Sequence, residues 1–319
     1  MNGSNQLINL VLYNAHENYI AIISGNQAQN NFPNDYFEQS LYWKQPLLRT
    51  IPSLTQSKVR QLTESLKHIG LFYDQLLQVH PESDGVIPYH IHNADGSYAA
   101  QCGNGARSLI AHLAESTSQD SFMLLSPSNR QFGRVLQDQS VEVEVGVTST
   151  DRDELIQSGI LVNKLNRSAD GRYLLFLPLL EKTIPVHLIS AGNPHAIFNL
   201  HDITDQAGDI DILSKIGQYC NTECDIFPHG VNVSFYEPMQ GDAELQIIIY
   251  ERGVGFTGSC GTALISVYSA IWESQEGLRQ VCTTNPVTKS RNVITIKNQR
   301  GVLSLIGSVV KVGEYQLSI

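Results

Sequence analysis

Residues 93–113, NADGSYAAQCGNGARSLIAHL, decide the fold, because the pattern of this stretch recurs at residues 251–267, ERGVGFTGSCGTALISV. In both copies an apolar run ends in a polar residue, and nine residues later a Cys-Gly pair opens a segment of helical period. The periodic apolar positions are Ala106, Leu109, Ile110 and Leu113 in the first copy and Leu264, Val267, Tyr268 and Ile271 in the second. The pattern predicts a thiol in the first turn of a buried helix in each half of the chain.

The rest of the chain is rich in predicted strands, with few helices. Alternation and apolar runs predict strands at residues 7–12, 19–24, 71–79, 85–91, 121–126, 134–136, 141–147, 173–177, 186–190, 231–236, 243–250, 293–297, 302–305 and 309–312. Helices are expected at 56–69, from Cys102 to about 116, within 205–219 and after Cys260. Two strand-rich halves, each with one central helix, indicate an α+β fold of two similar, duplicated α/β domains. The polar, turn-like residues 148–160 place a boundary after residue 147, and residues 25–57 are interpreted as a surface insertion with one short helix.

Length and composition limit the classes of protein. A chain of 319 residues is expected to form two domains, and 42% hydrophobic with 16% charged residues indicates a globular protein. The net charge of −10, without a basic cluster, argues against nucleic acid and anionic membrane as partners. No apolar run reaches the roughly 18 to 20 residues of a membrane span, and the N-terminus lacks the pattern of a signal peptide. Five cysteines, an odd number, do not suggest a disulfide framework, so a cytoplasmic protein is expected.

A pair of matched thiols suits inversion at a carbon atom. At a helix N-terminus the backbone N–H groups favour an anion, so each thiol is expected to have a pKa below the free value of about 8.5. Across a cleft, one sulfur could remove a proton while the other delivers one from the opposite side. The amides that could hold a substrate carboxylate are those of Gly103, Asn104, Gly261 and Thr262. No pyridoxal lysine motif or metal-ligand cluster is visible, so neither cofactor nor metal is expected.

Other polar residues have a plain structural interpretation beside the functional one. Cys220 and Cys224 lie four residues apart, but two further metal ligands are missing, so they and Cys282 are interpreted as packing residues. His195 stands out among the ten histidines because it follows an apolar strand within Gly-Asn-Pro-His. Three asparagines, Asn93, Asn193 and Asn232, lie at or beside the ends of apolar runs, where each could equally well complete a turn.

The motifs together resemble the diaminopimelate epimerase family over most of the chain. NADGS…QCGNGAR is similar to the first cysteine signature of that family, and GNPHA, GVNVSFYE and ERGxGxTxxCGT follow in the same order. HENYIAII resembles the GNDFVVV segment, which makes Asn18 the equivalent ligand. The terminal GSVVKVGEYQL is similar to the strand that returns to the first domain, which implies domains of 1–147 with 307–319 and of 148–306.

The resemblance implies a reaction and a role for each matching residue. The implied fold is a pair of domains, each a sheet wrapped around a central helix, with the active site in the interdomain cleft. The implied activity is the epimerisation of LL-2,6-diaminopimelate to the meso form, without pyridoxal phosphate, in a homodimer serving lysine and peptidoglycan synthesis. By the resemblance, Cys102 and Cys260 are the acid/base pair, assisted by His195 and Glu251. The residues implied to hold the substrate are Asn18, Asn93, Gly103, Asn104, Asn193, Asn232, Arg252, Gly261 and Thr262.

Four departures from the family pattern keep rival functions open. Phe256 stands where the family has Glu, Ala263 replaces a glycine after Cys-Gly-Thr, and the 25–57 region is longer than the family needs. The segment GLFYDQ, residues 70–75, also lacks the second glycine of the family's G-x-G-x-D-Q. One rival is a racemase of another amino acid, such as histidine, on the same fold. Another is a catalytically silent relative that only binds amino acids.

Overall fold

A computed structural model describes residues 7–24, 48, 53–99, 101–204, 209–240, 244–273 and 275–318. These residues divide into two compact units. Unit 1 comprises Met1–Glu144 and Gly307–Ile319, and unit 2 comprises Val145–Ile306. Most of the insertion expected at 25–57, namely residues 25–47 and 49–52, and the start of the helix expected at 205–219 lie outside the described residues.

Unit 1 is a mixed sheet with two helices. Its elements are β1 (Leu7–Ala15), β2 (Asn18–Ser24), α1 (Gln56–His68), β3 (Gln75–Val79), β4 (Ile87–Asn93), α2 (Gly103–Ser116), β5 (Ser121–Leu125), β6 (Arg130–Val135), β7 (Val141–Gly146, whose last two residues belong to unit 2) and the C-terminal β18 (Val310–Ser318). The strands pair in the order β18, β1, β2, β3, β4, β5, β6, β7. All neighbours are antiparallel except β2 with β3 and β4 with β5.

Unit 2 has more elements but the same plan. Its elements are α3 (Arg152–Gln157), β8 (Asn166–Arg167), β9 (Tyr173–Leu177), β10 (Lys182–Ser190), β11 (Pro194–Asn199), α4 (Leu200–Ile203), α5 (Ile210–Thr222), β12 (Asn232–Pro238), β13 (Leu245–Glu251), β14 (Gly255–Thr257), α6 (Gly261–Trp272), β15 (Gly277–Thr284), β16 (Arg291–Gln299) and β17 (Val302–Gly307, whose last residue belongs to unit 1). The strands pair in the order β8, β9, β10, β11, β12, β13, β15, β16, β17, and β14 folds back on β13.

The two units share one topology. The run from β1 to β7 matches the run β10, β11, β12, β13, β15, β16, β17, and every matched pair of neighbours has the same sense. In each run, helices connect the strands of the two parallel pairs. In unit 1, α1 connects β2 to β3 and α2 connects β4 to β5. In unit 2, α4 and α5 connect β11 to β12, and α6 lies between β13 and β15. The fold predicted from the sequence, two duplicated α/β domains each with a central helix, is therefore confirmed.

The central helices begin at the two cysteines that the repeat identified. Cys102 is the N-cap residue of α2, and Cys260 is the N-cap residue of α6, and both have an extended backbone. From Gly103 to Ile110 every residue of α2 is buried, within a core of strand residues such as Tyr89. The matching core of unit 2 surrounds α6. Each thiol is thus fixed where a buried helix leaves the sheet.

Some local expectations were wrong. Residues 71–73 do not pair as a strand, because the chain leaves α1 there and β3 begins only at Gln75. Residues 148–160 are not all turn, since Asp151 accepts hydrogen bonds from the amides of Asp153 and Glu154 and starts the short helix α3. Within the insertion, Leu48 is described and is fully buried against Val86 and Leu125.

Candidate active site

The thiol of unit 1 sits at the open end of α2. The Sγ of Cys102 accepts a hydrogen bond from the amide of Gly105 at 3.0 Å. The first bond of the helix backbone runs from the amide of Ala106 to the carbonyl of Cys102. The amides of Gly103 and Asn104 precede that bond, as the first donors of a helix always do, and they remain suited to an anion. The side chain of Asn104, by contrast, is engaged, because its Oδ1 accepts from Arg107 at 2.6 Å.

A group of side-chain amides lies at the ends of β2, β3 and β4. The Oδ1 of Asn93 accepts from Nε2 of Gln75 at 3.3 Å, and its Nδ2 donates to the Oγ of Ser97 at 2.9 Å. The Oε1 of Gln75 and the Oδ1 of Asn18 are buried and have no hydrogen-bond partner among the described residues. Buried amide oxygens without donors are costly, so these two acceptors are suited to a ligand ammonium.

Gln75 is a candidate site residue that the sequence motifs did not identify. Gln75 opens β3 opposite Ile20, and Asn232 opens the matching strand β12 opposite His195. Asn18 and Asn193 each stand two residues before those partners. The internal duplication, together with the Asp-Gln that ends the GLFYDQ segment, could have identified Gln75 as the counterpart of Asn232.

The thiol of unit 2 lies beside a carboxylate. Glu251, the last residue of β13, forms a hydrogen bond with the side chain of Cys260 and accepts another from the Oγ1 of Thr257 at 2.6 Å. Thr262 places its Oγ1 3.5 Å from the Cys260 Sγ. Unlike the Cys102 sulfur, which accepts from the amide of Gly105, the Cys260 sulfur accepts no capping hydrogen bond from the backbone of its helix. The two N-cap sulfurs therefore differ in backbone support.

The expectation that the helix terminus lowers the pKa of both thiols was wrong for Cys260. Burial raises the pKa of the Cys260 thiol well above its usual range, and the negative charge of Glu251 raises it further. The amide of Ala263 and the hydroxyl of Thr262 act in the opposite direction on that pKa but do not offset burial. Cys260 is consequently a neutral thiol, a proton donor, at neutral pH.

His195 and Asn193 form a second polar group close to Cys260. The ring Nε2 of His195 lies 2.9 Å from the Oδ1 of Asn193, and the Nδ2 of Asn193 donates to the Oγ1 of Thr262 at 3.4 Å. This arrangement places the ring proton on Nε2, because Oδ1 is an acceptor. Burial, with a smaller contribution from Arg252, lowers the pKa of His195 to about 3, so the ring is neutral. Its Nδ1 is buried without a partner among the described residues.

Asn232 and Arg252 are brought together at the start of β12 and the end of β13. The Oδ1 of Asn232 accepts from the backbone amide of Arg252 at 3.0 Å. The Nη1 of Arg252 donates to the carbonyl of His229 at 3.4 Å, which is a long and weak bond. The other donors of the Arg252 guanidinium have no hydrogen-bond partner among the described residues of unit 2 and are suited to a carboxylate.

Two of the departures from the family pattern, Phe256 and Ala263, are absorbed locally. Phe256 packs edge to face on Tyr250, with ring centroids 5.2 Å apart, so it is part of an aromatic pair. The ring of Tyr250 fits because residue 217 is glycine, whose missing Cβ would lie 2.5 Å from the ring. Ala263 is fully buried in the core that surrounds α6.

Across the described ranges, no three His, Cys, Asp or Glu side chains form a group that could hold a metal ion. Cys220, Cys224 and Cys282 are free and buried. No helix in the part of the chain that the structure describes has the length and apolarity to cross a membrane.

Comparison with solved structures identifies the fold. The chain is similar to a solved hydroxyproline epimerase from Agrobacterium vitis with bound trans-4-OH-L-proline, at a TM-score of 0.63 and 14% identity, over 98% of this chain and 93% of that one. This likeness shows the racemase and epimerase fold. No family model matches the chain.

Curated relatives narrow the class. The diaminopimelate epimerase of Buchnera aphidicola subsp. Baizongia pistaciae is 32% identical over 235 residues, which cover 72% of this chain and 74% of that protein. The diaminopimelate epimerase of Blochmanniella pennsylvanica is 31% identical over 214 residues, 66% of this chain and 72% of that protein. The chain belongs to the diaminopimelate epimerase family, a group of isomerases that act on small amino acids.

Proposed function

We propose that the protein is a diaminopimelate epimerase that converts LL-2,6-diaminopimelate to the meso form with two cysteines and no pyridoxal phosphate. The observation that carries this proposal is the matched placement of Cys102 and Cys260, each at the N-cap of a central helix. A protein that only bound amino acids would have no need of the second thiol. The family membership and the polar groups around each thiol support the same activity.

The proposed reaction needs two proton transfers. One sulfur, as a thiolate, removes the α-proton, so that an S–H bond forms and the electron pair of the C–H bond moves onto the substrate carboxylate. The amides that would stabilise the charge on that carboxylate are those of Gly103, Asn104, Gly261 and Thr262. The other sulfur gives its proton to the opposite face of the carbon and becomes a thiolate. Exchange of protons with water restores the starting state.

Glu251 and His195 assist these transfers in the proposal. The carboxylate of Glu251, which accepts a hydrogen bond from Thr257, keeps Cys260 protonated until the proton is transferred to the substrate α-carbon. The neutral ring of His195 offers the lone pair of its Nδ1 as an acceptor, since Nε2 is occupied by Asn193. Neither Glu251 nor His195 has to change its protonation state during the reaction.

The distal end of the substrate explains why diaminopimelate is favoured over simpler amino acids. That end carries an ammonium and a carboxylate. The ammonium would meet the amide oxygens of Asn18 and Gln75, and the carboxylate would meet the guanidinium of Arg252, with Asn93, Asn193 and Asn232 completing the set. A substrate without this end would leave buried polar groups unpaired, at about 1 to 3 kcal/mol for each.

Two further properties follow from the family resemblance and stay part of the proposal. The protein is expected to be a homodimer and to act in the cytoplasm, where diaminopimelate serves lysine and peptidoglycan synthesis. The rival activity is racemisation of another amino acid, such as histidine. Phe256 favours that rival more than any other residue, because it replaces a family carboxylate with a ring.

A substrate panel in deuterated water tests the proposal. LL-diaminopimelate, histidine, lysine, glutamate and alanine are each incubated with the purified chain, and exchange at each α-carbon is followed by NMR. Deuterium is expected in diaminopimelate and at most traces in the others. Comparable kcat/KM values for histidine and LL-diaminopimelate would move the assignment to the general racemase, and exchange in none of the panel would favour the silent binder.

A further inference from the structure

Arg107 is a buried cation with no carboxylate partner among the described residues. It lies in α2, five residues after Cys102, and its side chain is fully buried. Its Nη2 donates to the Oδ1 of Asn104 at 2.6 Å and to the Nδ1 of His16 at 2.8 Å. Its Nε and Nη1 have no hydrogen-bond partner among the described residues. A buried guanidinium with only neutral partners is unusual, because charges removed from water are normally paired.

Among the described residues around Arg107, one group is a candidate for its counter-charge. His16 is neutral, because its Nδ1 accepts from a guanidinium, which has donors only. Tyr89 of β4 interacts with the Cys102 sulfur, but burial raises the pKa of this phenol far above neutral pH. The charged groups at the far end of α2, Glu115 and Lys311, pair with each other at 2.9 Å. Cys102 is the group near Arg107 that can become an anion, and the two interact electrostatically.

The comparison of the two units sharpens this point. The position five residues after the cysteine is Arg107 in unit 1 and Ile265 in unit 2. The residue that ends the strand before each cysteine loop is Asn93 in unit 1 and Glu251 in unit 2. The thiol of unit 1 therefore has a cation and a neutral amide in matched positions, where the thiol of unit 2 has an apolar residue and a carboxylate. The duplicated sites are alike in backbone and opposite in charge.

We propose that Arg107 is a positioning residue that holds Cys102 as the thiolate in the resting enzyme. Burial lowers the pKa of Arg107 to about 10, so the guanidinium remains charged at neutral pH. An opposite charge close by favours the ionised form of a thiol. The hydrogen bonds to Asn104 and His16 hold the guanidinium in place.

This inference rests on the proposed function only in taking Cys102 as a reacting thiol, and it can be tested without any substrate. The rate at which iodoacetamide alkylates Cys102 is measured against pH, with the Cys102 and Cys260 peptides quantified separately by mass spectrometry. In the wild-type chain the Cys102 rate is expected to reach half of its maximum below about pH 8, under the free value of about 8.5. The Cys260 rate should rise only at more alkaline pH.

Variants of Arg107 separate charge from packing. Arg107→Gln is expected to raise the half-maximum of Cys102 by at least about one pH unit, the lower end of the usual effect of a close opposite charge. Arg107→Lys, which keeps the charge, should leave most of the lowered value in place, although both variants lose packing. Arg130→Gln, at an exposed arginine of β6, is the matched control and should change neither thiol.

Several results would overturn the inference. The first is a wild-type Cys102 that titrates at or above about pH 8.5. This result needs no variant, so it decides the matter even if Arg107→Gln fails to fold. The second is a Cys102 alkylation profile that is unchanged in Arg107→Gln. If KM is raised in that variant while the profile is unchanged, the guanidinium contacts substrate and not the thiol. A protein that rejects diaminopimelate but shows the expected thiol shift would refute the proposed function alone.

Discussion

The carboxylate of Glu251 forms a hydrogen bond with the side chain of Cys260, and the Oγ1 of Thr257 holds that carboxylate at 2.6 Å. A carboxylate beside a thiol opposes loss of the thiol proton, both by its negative charge and by accepting a hydrogen bond from the S–H group. The matched residue in unit 1 is Asn93, which has no charge. This difference makes the two thiols unequal although their helices are alike.

Replacing Glu251 by Gln should therefore lower the pKa of Cys260, which burial alone would still keep above the free value. The rate of Cys260 alkylation at pH 8 is expected to increase. Epimerisation should fall by about 10² or more, the usual contribution of a positioned acid or base. Glu244→Gln, at an exposed carboxylate of the same unit, is the control. An unaltered alkylation rate would show that Glu251 does not act on the sulfur.

Gln75 is expected to hold substrate, although the sequence reasoning did not include it. Its Oε1 is buried without a partner in the described part of the chain, next to Asn93. Gln75→Leu removes that acceptor and should lower kcat/KM for diaminopimelate by about 10-fold to 100-fold, corresponding to about 1 to 3 kcal/mol. The variant should unfold at nearly the same urea concentration as wild type. Gln61→Leu on the exposed side of α1 serves as the control, and equal kinetics for both variants would remove Gln75 from the site.

Arg252 should determine specificity for the distal carboxylate. Arg252→Met is expected to raise KM for diaminopimelate by about tenfold to a hundredfold, because hydrogen bonds to charged groups contribute about 1.5 to 3 kcal/mol. Arg252→Lys should recover only part of the loss, since an ammonium lacks the planar fork. The measurement is steady-state kinetics with diaminopimelate, and an unchanged KM in Arg252→Met would show that the guanidinium faces no substrate carboxylate.

Three buried histidines of unit 1 should make the fold sensitive to acid. Burial lowers the pKa values of His80, His90 and His92 to about 4, 3 and 3. The unfolded chain, with histidine pKa values of about 6.5, binds protons that the folded chain excludes. Their contribution to stability is thus complete above about pH 6.5 and is lost as the pH falls towards 4, at up to about 1.4 kcal/mol per pH unit for each ring.

Urea unfolding at pH 7.5 and at pH 5 measures this effect. The midpoint should fall clearly at pH 5, and His80→Gln should reduce the fall, because glutamine can still donate to the Nδ1 of His90 but cannot titrate. His68→Gln, at an exposed histidine of α1, should leave the difference between the two pH values as in wild type. The same midpoint at both pH values in the wild-type chain would contradict the account of the cluster.

The repeat in the sequence predicted the part of the fold that depends on local patterns. The segment after Cys102 has a clear helical period, and α2 indeed runs from Gly103 to Ser116. Residues 173–177 form β9 as predicted, because their apolar residues alternate between core and surface. By contrast, β15 (Gly277–Thr284) was not predicted, since its first half is exposed and polar and the strand is stabilised by pairing with β13 and β16.

The candidate site was only partly predictable for a similar reason. Motifs identified the cysteines and the residues beside them, since each stands within a few residues of a glycine turn or strand end. Gln75 and Arg107 contact neighbours that are distant in sequence, Asn93 and His16, and only the tertiary fold brings them together. The pKa of Cys260 could not be predicted from its helix either, because burial and Glu251 outweigh the terminal amides.

The central claim is that Cys102 and Cys260 both take part in inverting one carbon. It is tested most directly by following LL-diaminopimelate in deuterated water with the wild-type chain and with Cys102→Ser and Cys260→Ser. The wild-type chain should form meso-diaminopimelate with deuterium at the inverted carbon, and each variant should lose at least about 10² to 10⁴ in epimerisation rate while remaining folded. Epimerisation near the wild-type rate by either variant would contradict the claim.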